Sequence, residues 1–294
     1  MRIFLTGATG FIGSKIVPEL IAAGHQVLGL TRSDAGAQRL RAAGADVYQG
    51  TIEDLDGLRR GAADCDGVIH TAFDHDFDHF VANCEKDHRV ILALGEALQG
   101  SARPLIVTSG TPMGIAVPGQ PATEDHFNAD HPNPRKASEL AAEALLSRGV
   151  NVAVVRLSQI HDAEKQGLVT ELVARARETG VSAYVGDGAN NWSAAHVSDT
   201  TRLYRAALER GVAGARYHAT AESCIPFRDI AQAIGQRFGL PVIPLQDADV
   251  AGHFGWMARF VGHDMSASSA KTREWLRWQP TGPGLLASVA AIRD

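Results

Sequence analysis

Short apolar runs alternate with helix-period patterns from the first residues of the chain. Ile3-Phe4-Leu5 is apolar throughout, and Ile12, Ile16, Val17, Leu20 and Ile21 follow at helical spacing, closing at Gly24. The alternation repeats. Residues 25–30 predict a second strand, 34–43 a helix ending near Gly44, 46–48 a third strand and 54–61 a short helix. Residues 67–71 predict a fourth strand, 80–98 a long helix, 104–108 a fifth strand, 135–148 a helix with Leu140, Ala144 and Leu145 on one face, and 152–155 a sixth strand. Strands alternating with helices predict an α/β fold, a doubly wound parallel sheet with helices on both faces. Beyond residue 160 the alternation weakens. A helix over 166–178, the run Ala183-Tyr184-Val185, a turn at Gly186-Asp187-Gly188, and helices near 198–209, 226–238, 247–261 and 283–292 predict a second, smaller part.

The stretch Thr6-Gly7-Ala8-Thr9-Gly10-Phe11-Ile12-Gly13 lies on the first strand-to-helix turn. Gly7 permits a tight turn, Gly10 lets a pyrophosphate approach the backbone, and Gly13 lets the helix pack close to the strand. The helix N-terminus adds unpaired N–H groups and partial positive charge. With these residues the chain resembles the atypical and extended short-chain dehydrogenases/reductases, whose TGxxGxxG motif TGATGFIG matches and which include nucleotide-sugar epimerases. Other segments carry the resemblance further. Val68-Ile69-His70-Thr71-Ala72 is similar to the family's fourth strand, Ile106-Val107-Thr108-Ser109 to the fifth with its active-site serine, and Val154-Val155-Arg156 to the sixth. His196-Val197-Ser198-Asp199 resembles its HVxD segment, and the stretch from Ser268 to Pro280, with Lys271, Leu276 and Trp278, its C-terminal ending. The resemblance implies a Rossmann-type NAD(P)-binding domain over 1–160. It implies a mainly substrate-binding part over 161–294, with about 195–220 returning to the first domain. It also implies a small-molecule substrate and a homodimer paired through helices 80–98 and 135–148.

Composition narrows the function classes. The chain has 294 residues, 45% hydrophobic and 21% charged, as in an ordinary globular enzyme. A net charge of −5 gives no nucleic-acid footprint. No apolar run approaches the roughly 20 residues of a membrane span, and a first strand at the N-terminus leaves no room for a signal peptide. Cys65, Cys84 and Cys224 have neither metal spacing nor a disulfide framework. A cytoplasmic location is the default expectation.

Cofactor choice is read at the end of strand two. NAD-specific domains place an acid there to hold both ribose hydroxyls. Here the strand ends Leu30-Thr31-Arg32-Ser33, and the first acid is Asp34. A planar guanidinium suits a 2′-phosphate, so NADP(H) is the expected preference, with NAD(H) possible. The carboxyl ends of parallel strands carry the remaining contacts. Thr9, Phe11 and Ile12 belong to the turn. Thr51 and Ile52 are expected at the adenine, Ala72 and Phe73 at the phosphates and ribose, and Leu157 and Ser158 at the nicotinamide. Gly50-Thr51-Ile52 stands where many relatives have Gly-Asp-Leu.

A long loop from Ser109 to Pro134, rich in Gly, Pro and His, has the length of a functional loop. Thr111 and Met113 at its start are expected in the substrate pocket. Asp74-His75-Asp76-Phe77-Asp78-His79 admits two readings. His75 and His79, four apart among carboxylates, have metal-ligand spacing. Acids that complement a helix N-terminus, with His75 and Phe77 lining the pocket, are the preferred alternative, and no metal is expected. His70, inside a strand, reads as a hydrogen-bonded core histidine. Trp192 is expected to line the pocket. His253, Trp256 and Phe260 form a helical stripe that reads as core or as a pocket lid.

Ser109 matches the family's catalytic serine, whose hydroxyl would bond a substrate carbonyl; Ser-Gly is also an ordinary turn pair. The family's proton donor is a tyrosine four residues before a lysine. Here the helix reads Pro134-Arg135-Lys136-Ala137-Ser138-Glu139, with Arg135 at the tyrosine position and Glu139 at the lysine position. No tyrosine lies between Tyr48 and Tyr184. An alkoxide formed by hydride transfer needs a proton, and an arginine does not readily give one. Lys136 and His161 are the nearest other ionisable candidates. A conjugated enone or an iminium substrate would relax the demand. The reading is therefore an NADP(H)-dependent oxidoreductase acting on a small carbonyl, enone or imine compound through a non-standard proton path. The alternatives are a non-catalytic NADP(H) sensor and a sugar-nucleotide epimerase or dehydratase.

Overall fold

The computed structural model describes residues 1–293, the side chain of Phe77 excepted. The first half builds β1 (Arg2–Thr6), α1 (Gly13–Ala22), β2 (Gln26–Thr31), α2 (Asp34–Ala42), β3 (Asp46–Gln49), α3 (Leu55–Ala63) and β4 (Gly67–His70). It continues with α4 (Phe80–Glu96), β5 (Leu105–Gly110), α5 (Ala137–Leu146) and β6 (Val152–Leu157). The second half supplies β7 (Gln159–His161), α6 (Val169–Thr179), β8 (Ser182–Val185), β9 (Asn191–His196), α7 (Val197–Arg210), β10 (Arg216–Ala219) and β11 (Glu222–Pro226). Then come α8 (Phe227–Phe238), β12 (Val242–Leu245), α9 (Asp247–Phe254), α10 (Ala258–Val261), α11 (Ala270–Leu276) and α12 (Leu285–Ala290).

Seven parallel strands form the large sheet in the order β10-β6-β5-β4-β1-β2-β3. Both faces are covered, which is why β1 is apolar without alternation. Ile3 and Leu5 pack with Ile16, Leu20, Leu203 and Tyr204 of α1 and α7. Phe4 turns the other way, to Leu58, Ile91 and Leu94 of α3 and α4. A third core joins α6, α8 and α12 to the small sheets β11-β9-β7 and β12-β8 around Trp192, Phe227 and Ile230.

The expected helix over 247–261 is two helices. Gly255 stands at φ +55 and breaks it, so the buried side chains are Phe254, Met257 and Val261, while Trp256 is exposed. α5 begins two residues later than its periodicity suggests, because Pro134 opens a short 3-10 turn over Pro134–Lys136 first. Chain reversal at each strand end gathers the carboxyl ends of β1, β4, β5 and β6 along one rim. Thr6 is level with His70, and Ser109 with Arg156.

Gly13 shows how tightly this rim is built. A Cβ there would lie 2.1 Å from the Gly7 carbonyl oxygen, a backbone atom that cannot turn aside. Gly→Ala inside a helix normally stabilises by about 0.5–1 kcal/mol; Gly13→Ala is expected to destabilise instead and to lower the urea midpoint. An unchanged or raised midpoint would show that α1 can move off the turn without cost.

Candidate active site

The glycine turn has the geometry of a phosphate cradle. Gly7 adopts φ +69, where a side chain would also strike the Ala72 nitrogen at 2.6 Å. The Gly10 amide closes the turn on the Gly7 carbonyl at 2.9 Å. Gly10 is exposed, and Thr9, Phe11 and Ile12 are half-buried. Ile12 caps α1 without a side-chain bond. The Phe11, Ile12 and Gly13 amides have no acceptor among the described residues. Unpaired amides at the N-terminus of a ten-residue helix, beside a surface bare of side chains, fit the pyrophosphate of a dinucleotide.

Along the rim, Arg32 is exposed at the end of β2. The Ser33 hydroxyl accepts from the Gly36 amide at 3.1 Å and caps α2, so that hydroxyl is already engaged. Thr51 is exposed, and its hydroxyl accepts from the Glu53 amide. Ile52 packs on the core beneath it. The Ala72 amide points at the Thr6 hydroxyl, 3.4 Å away. Leu157 is half-buried, and Ser158 donates to the Ala219 carbonyl at 2.5 Å, tying the end of β6 to β10.

Ser109 is the residue expected on the substrate side. Its hydroxyl is buried at the end of β5 and has no hydrogen-bond partner among the described residues. Burying such a group unbonded is costly, so an acceptor arriving there would find a donor already in place. Thr111 and Met113 follow, both buried in a 3-10 turn. Phe73 lies under the Arg135 guanidinium, 4.0 Å from ring centre to Cζ, with the exposed His75 at its edge, 5.2 Å away. The Phe77 side chain, expected in the pocket, lies outside the described residues.

Three expected site residues are turned elsewhere. Glu139, assigned to the lysine position, is fully buried. Its carboxylate accepts from Arg156 Nε and Nη2 at 2.8 and 2.7 Å and from Arg216 Nε at 2.9 Å, so it anchors α5 to β6 and β10. His161 lies in the C-terminal core, its Nδ1 2.9 Å from the Ser288 hydroxyl. Burial, helped by the neighbouring His196, pushes it down to about 4, so it is neutral at pH 7 and a poor match for a proton donor. Trp192 is fully buried against Phe227, ring centres 4.9 Å apart, and lines that core.

Arg135 does face the rim, but its charge is balanced. It pairs with Asp87 of α4 at 2.5 Å, touches the Ser138 hydroxyl, and donates to the Thr108 carbonyl at 3.1 Å. Burial alone would raise the Asp87 carboxyl. The Arg135 charge, with the bonds from His70 and Ser138, outweighs it and holds the group well below the usual carboxylate range. Lys136 is half-buried; its backbone N–H donates to the Asn133 carbonyl at 3.2 Å, and its ammonium has no hydrogen bond or ion pair among the described residues. His70 is the core histidine expected, between the Thr6 hydroxyl at 2.6 Å and Asp87 at 2.9 Å. Asp87 and Ser138 were missed by the sequence reading; Asp87 sits mid-helix, and nothing local marks it as the partner of a strand histidine 17 residues earlier.

Two buried histidines set an acid limit on this architecture. His161 is pushed down to about 4, and His218 to about 3 by burial and the nearby Arg156. In the unfolded chain both titrate near 6.5. Below that pH the unfolded state binds protons that the folded state refuses. Stability is therefore complete above 6.5 and falls as pH drops toward 4, by up to about 1.4 kcal/mol per pH unit for each histidine. Urea midpoints at pH 7.5 and 5 should differ accordingly, and His161→Gln should flatten the slope. Equal midpoints would contradict the assignment.

Comparison with known proteins shows the family. A model described as the NAD dependent epimerase/dehydratase family matches residues 3–220. An uncharacterised protein of Schizosaccharomyces pombe is 45% identical, with 99% of each chain covered. A 4-hydroxy-2-methyl-3-oxo-4-farnesyl-3,4-dihydroquinoline-1-oxide ketoreductase of Stigmatella aurantiaca is 27% identical over 87% of this chain and 80% of its own. A dTDP-glucose 4,6-dehydratase of Streptomyces venezuelae, solved with NAD and TYD bound, shares the fold with a TM-score of 0.78 at 22% identity, covering 99% of this chain and 96% of its own. With its glycine turn, its parallel sheet and a family match over most of its length, the chain belongs to the NAD-dependent epimerase/dehydratase family, within the extended short-chain dehydrogenases/reductases.

Proposed function

We propose that the protein is an NADP(H)-dependent reductase that transfers a hydride to a small carbonyl, enone or imine compound. The observation that carries this reading is the buried, unpartnered hydroxyl of Ser109 at the rim where the strand ends converge. Bound NADPH would supply the hydride. The Ser109 hydroxyl would donate to the acceptor oxygen or nitrogen and steady the charge that develops on it. The glycine turn and α1 would hold the pyrophosphate, and Arg32 the 2′-phosphate. The similarity to a ketoreductase supports the same reaction class. Epimerase and dehydratase chemistry is less well supported, because the expected positions of the tyrosine and lysine, in the 3-10 turn before α5 and in its first turn, hold Arg135 and Glu139, both in ion pairs.

That same observation favours a second reading, a non-catalytic NADP(H) sensor. With Arg135 balanced by Asp87, the proton would come from Lys136 or from solvent, and a conjugated or iminium acceptor would ease the step. Oxidation of NADPH by a panel of aldehydes, ketones, enones and imines separates the two. At least one class should turn over, and Ser109→Ala should lower kcat by about 10- to 100-fold with NADPH affinity unchanged. Tight binding without turnover on any class would favour the sensor; turnover unaffected in Ser109→Ala would remove the serine from the mechanism.

Arg32 decides the cofactor. Losing a charged hydrogen bond to phosphate costs about 1.5–3 kcal/mol, so Arg32→Ala should weaken NADPH binding by about tenfold or more and leave NADH unchanged. Equal affinity of the unaltered protein for the two cofactors, measured by titration, would overturn the preference.

A further inference from the structure

One buried carboxylate connects the two seats of the proposed reaction. Asp87 is 3% exposed and its two oxygens divide their work. Oδ1 faces His70 Nε2 at 2.9 Å, and Oδ2 takes Ser138 Oγ at 2.6 Å and Arg135 Nη1 at 2.5 Å. An ionised carboxylate only accepts, so His70 carries its proton on Nε2, and Nδ1 accepts from the Thr6 hydroxyl at 2.6 Å. Thr6 is the last residue of β1, and the glycine turn starts on its carboxyl side. Its carbonyl is held in turn by the Thr71 hydroxyl at 2.8 Å. On the other arm, Arg135 Nη2 donates at 3.1 Å to the Thr108 carbonyl, which belongs to the peptide bond leading into Ser109. The Thr108 hydroxyl closes the circuit at 2.7 Å on the His70 carbonyl.

Stability alone does not account for this arrangement. A buried ion pair gains little over apolar side chains of similar volume, because desolvation consumes its Coulomb energy. What it adds is direction, since every bond fixes an angle as well as a distance.

We propose that Asp87 is a positioning residue, which through His70 and Thr6 sets the glycine turn and through Arg135 and the Thr108 carbonyl sets Ser109. It thereby fixes the hydride donor's seat relative to the hydroxyl that receives the acceptor. The proposal rests on the reductase reading for its kinetic arm and on cofactor binding alone for the other. Small errors of position in a reacting pair cost up to about 100-fold in rate.

The test uses Asp87→Asn, His70→Phe and Arg135→Met, with kcat at saturating NADPH and acceptor, the NADPH dissociation constant and Tm measured for each. His70→Phe should weaken NADPH binding by about threefold or more while changing kcat less. Arg135→Met should lower kcat by about tenfold or more at unchanged NADPH affinity. Asp87→Asn should do both. Because Asp87→Asn leaves Arg135 buried without its partner and can impair folding, Asp87→Asn/Arg135→Met removes both charges. That double variant should recover Tm without recovering kcat. Recovery of kcat and NADPH affinity together with Tm would make the network a packing element and overturn the proposal. If the unaltered protein turns over no acceptor class, the reductase reading fails by itself. NADPH affinity unchanged in both Asp87→Asn and His70→Phe would then overturn the positioning role on its own evidence.

Discussion

A guanidinium taken out of water must be neutralised where it lies, and that constraint decides what α5 can do. The helix and the 3-10 turn before it hold two such pairs. Glu139 grips Arg156 through two parallel bonds and holds Arg216 as well, fastening the first turn of the helix to β6 and β10. Just before the helix, Arg135 is matched by Asp87 and stacks on the Phe73 ring. Arg135 and Glu139 are thus two charges committed to partners. The consequence is a rim rich in positioning groups, with the buried hydroxyl of Ser109 left without a partner among the described residues.

The parts of the molecule that obey local rules were legible in the sequence. β1, the glycine turn and α1 follow from apolar spacing and three glycines, and the structure places a backbone oxygen where a Gly13 side chain would stand. The six strands of the first half follow from short apolar runs bounded by helical periods. The second half was harder because its strands are short and mixed in character. β10, Arg-Tyr-His-Ala, is buried by its neighbours rather than by its own composition. β9 and β11 owe their existence to a pairing across residues 191–226. The break at Gly255 needed a backbone angle that a helical stripe does not announce.

Site residues divide along the same line. The glycines, Arg32 and Ser109 are positions on a rim fixed by strand order, so the sequence could nominate them. Trp192, aromatic, was expected to line the pocket and His161, ionisable, to supply a proton, but both lie on strands of the small sheet and are buried there. Asp87 was invisible for the opposite reason. Its meaning lies in contacts with β4 and with the 3-10 turn before α5, residues 17 and 48 positions away.

The central claim is that a hydride passes from NADPH to an acceptor held by Ser109. It is tested most directly with NADPH deuterated at the transferring position of the nicotinamide, followed by mass spectrometry of the reduced acceptor. The account predicts one deuterium in the product, at the carbon that carried the oxygen or nitrogen, or at the β-carbon of an enone. Product without deuterium, or NADPH recovered intact with every acceptor class, would contradict it.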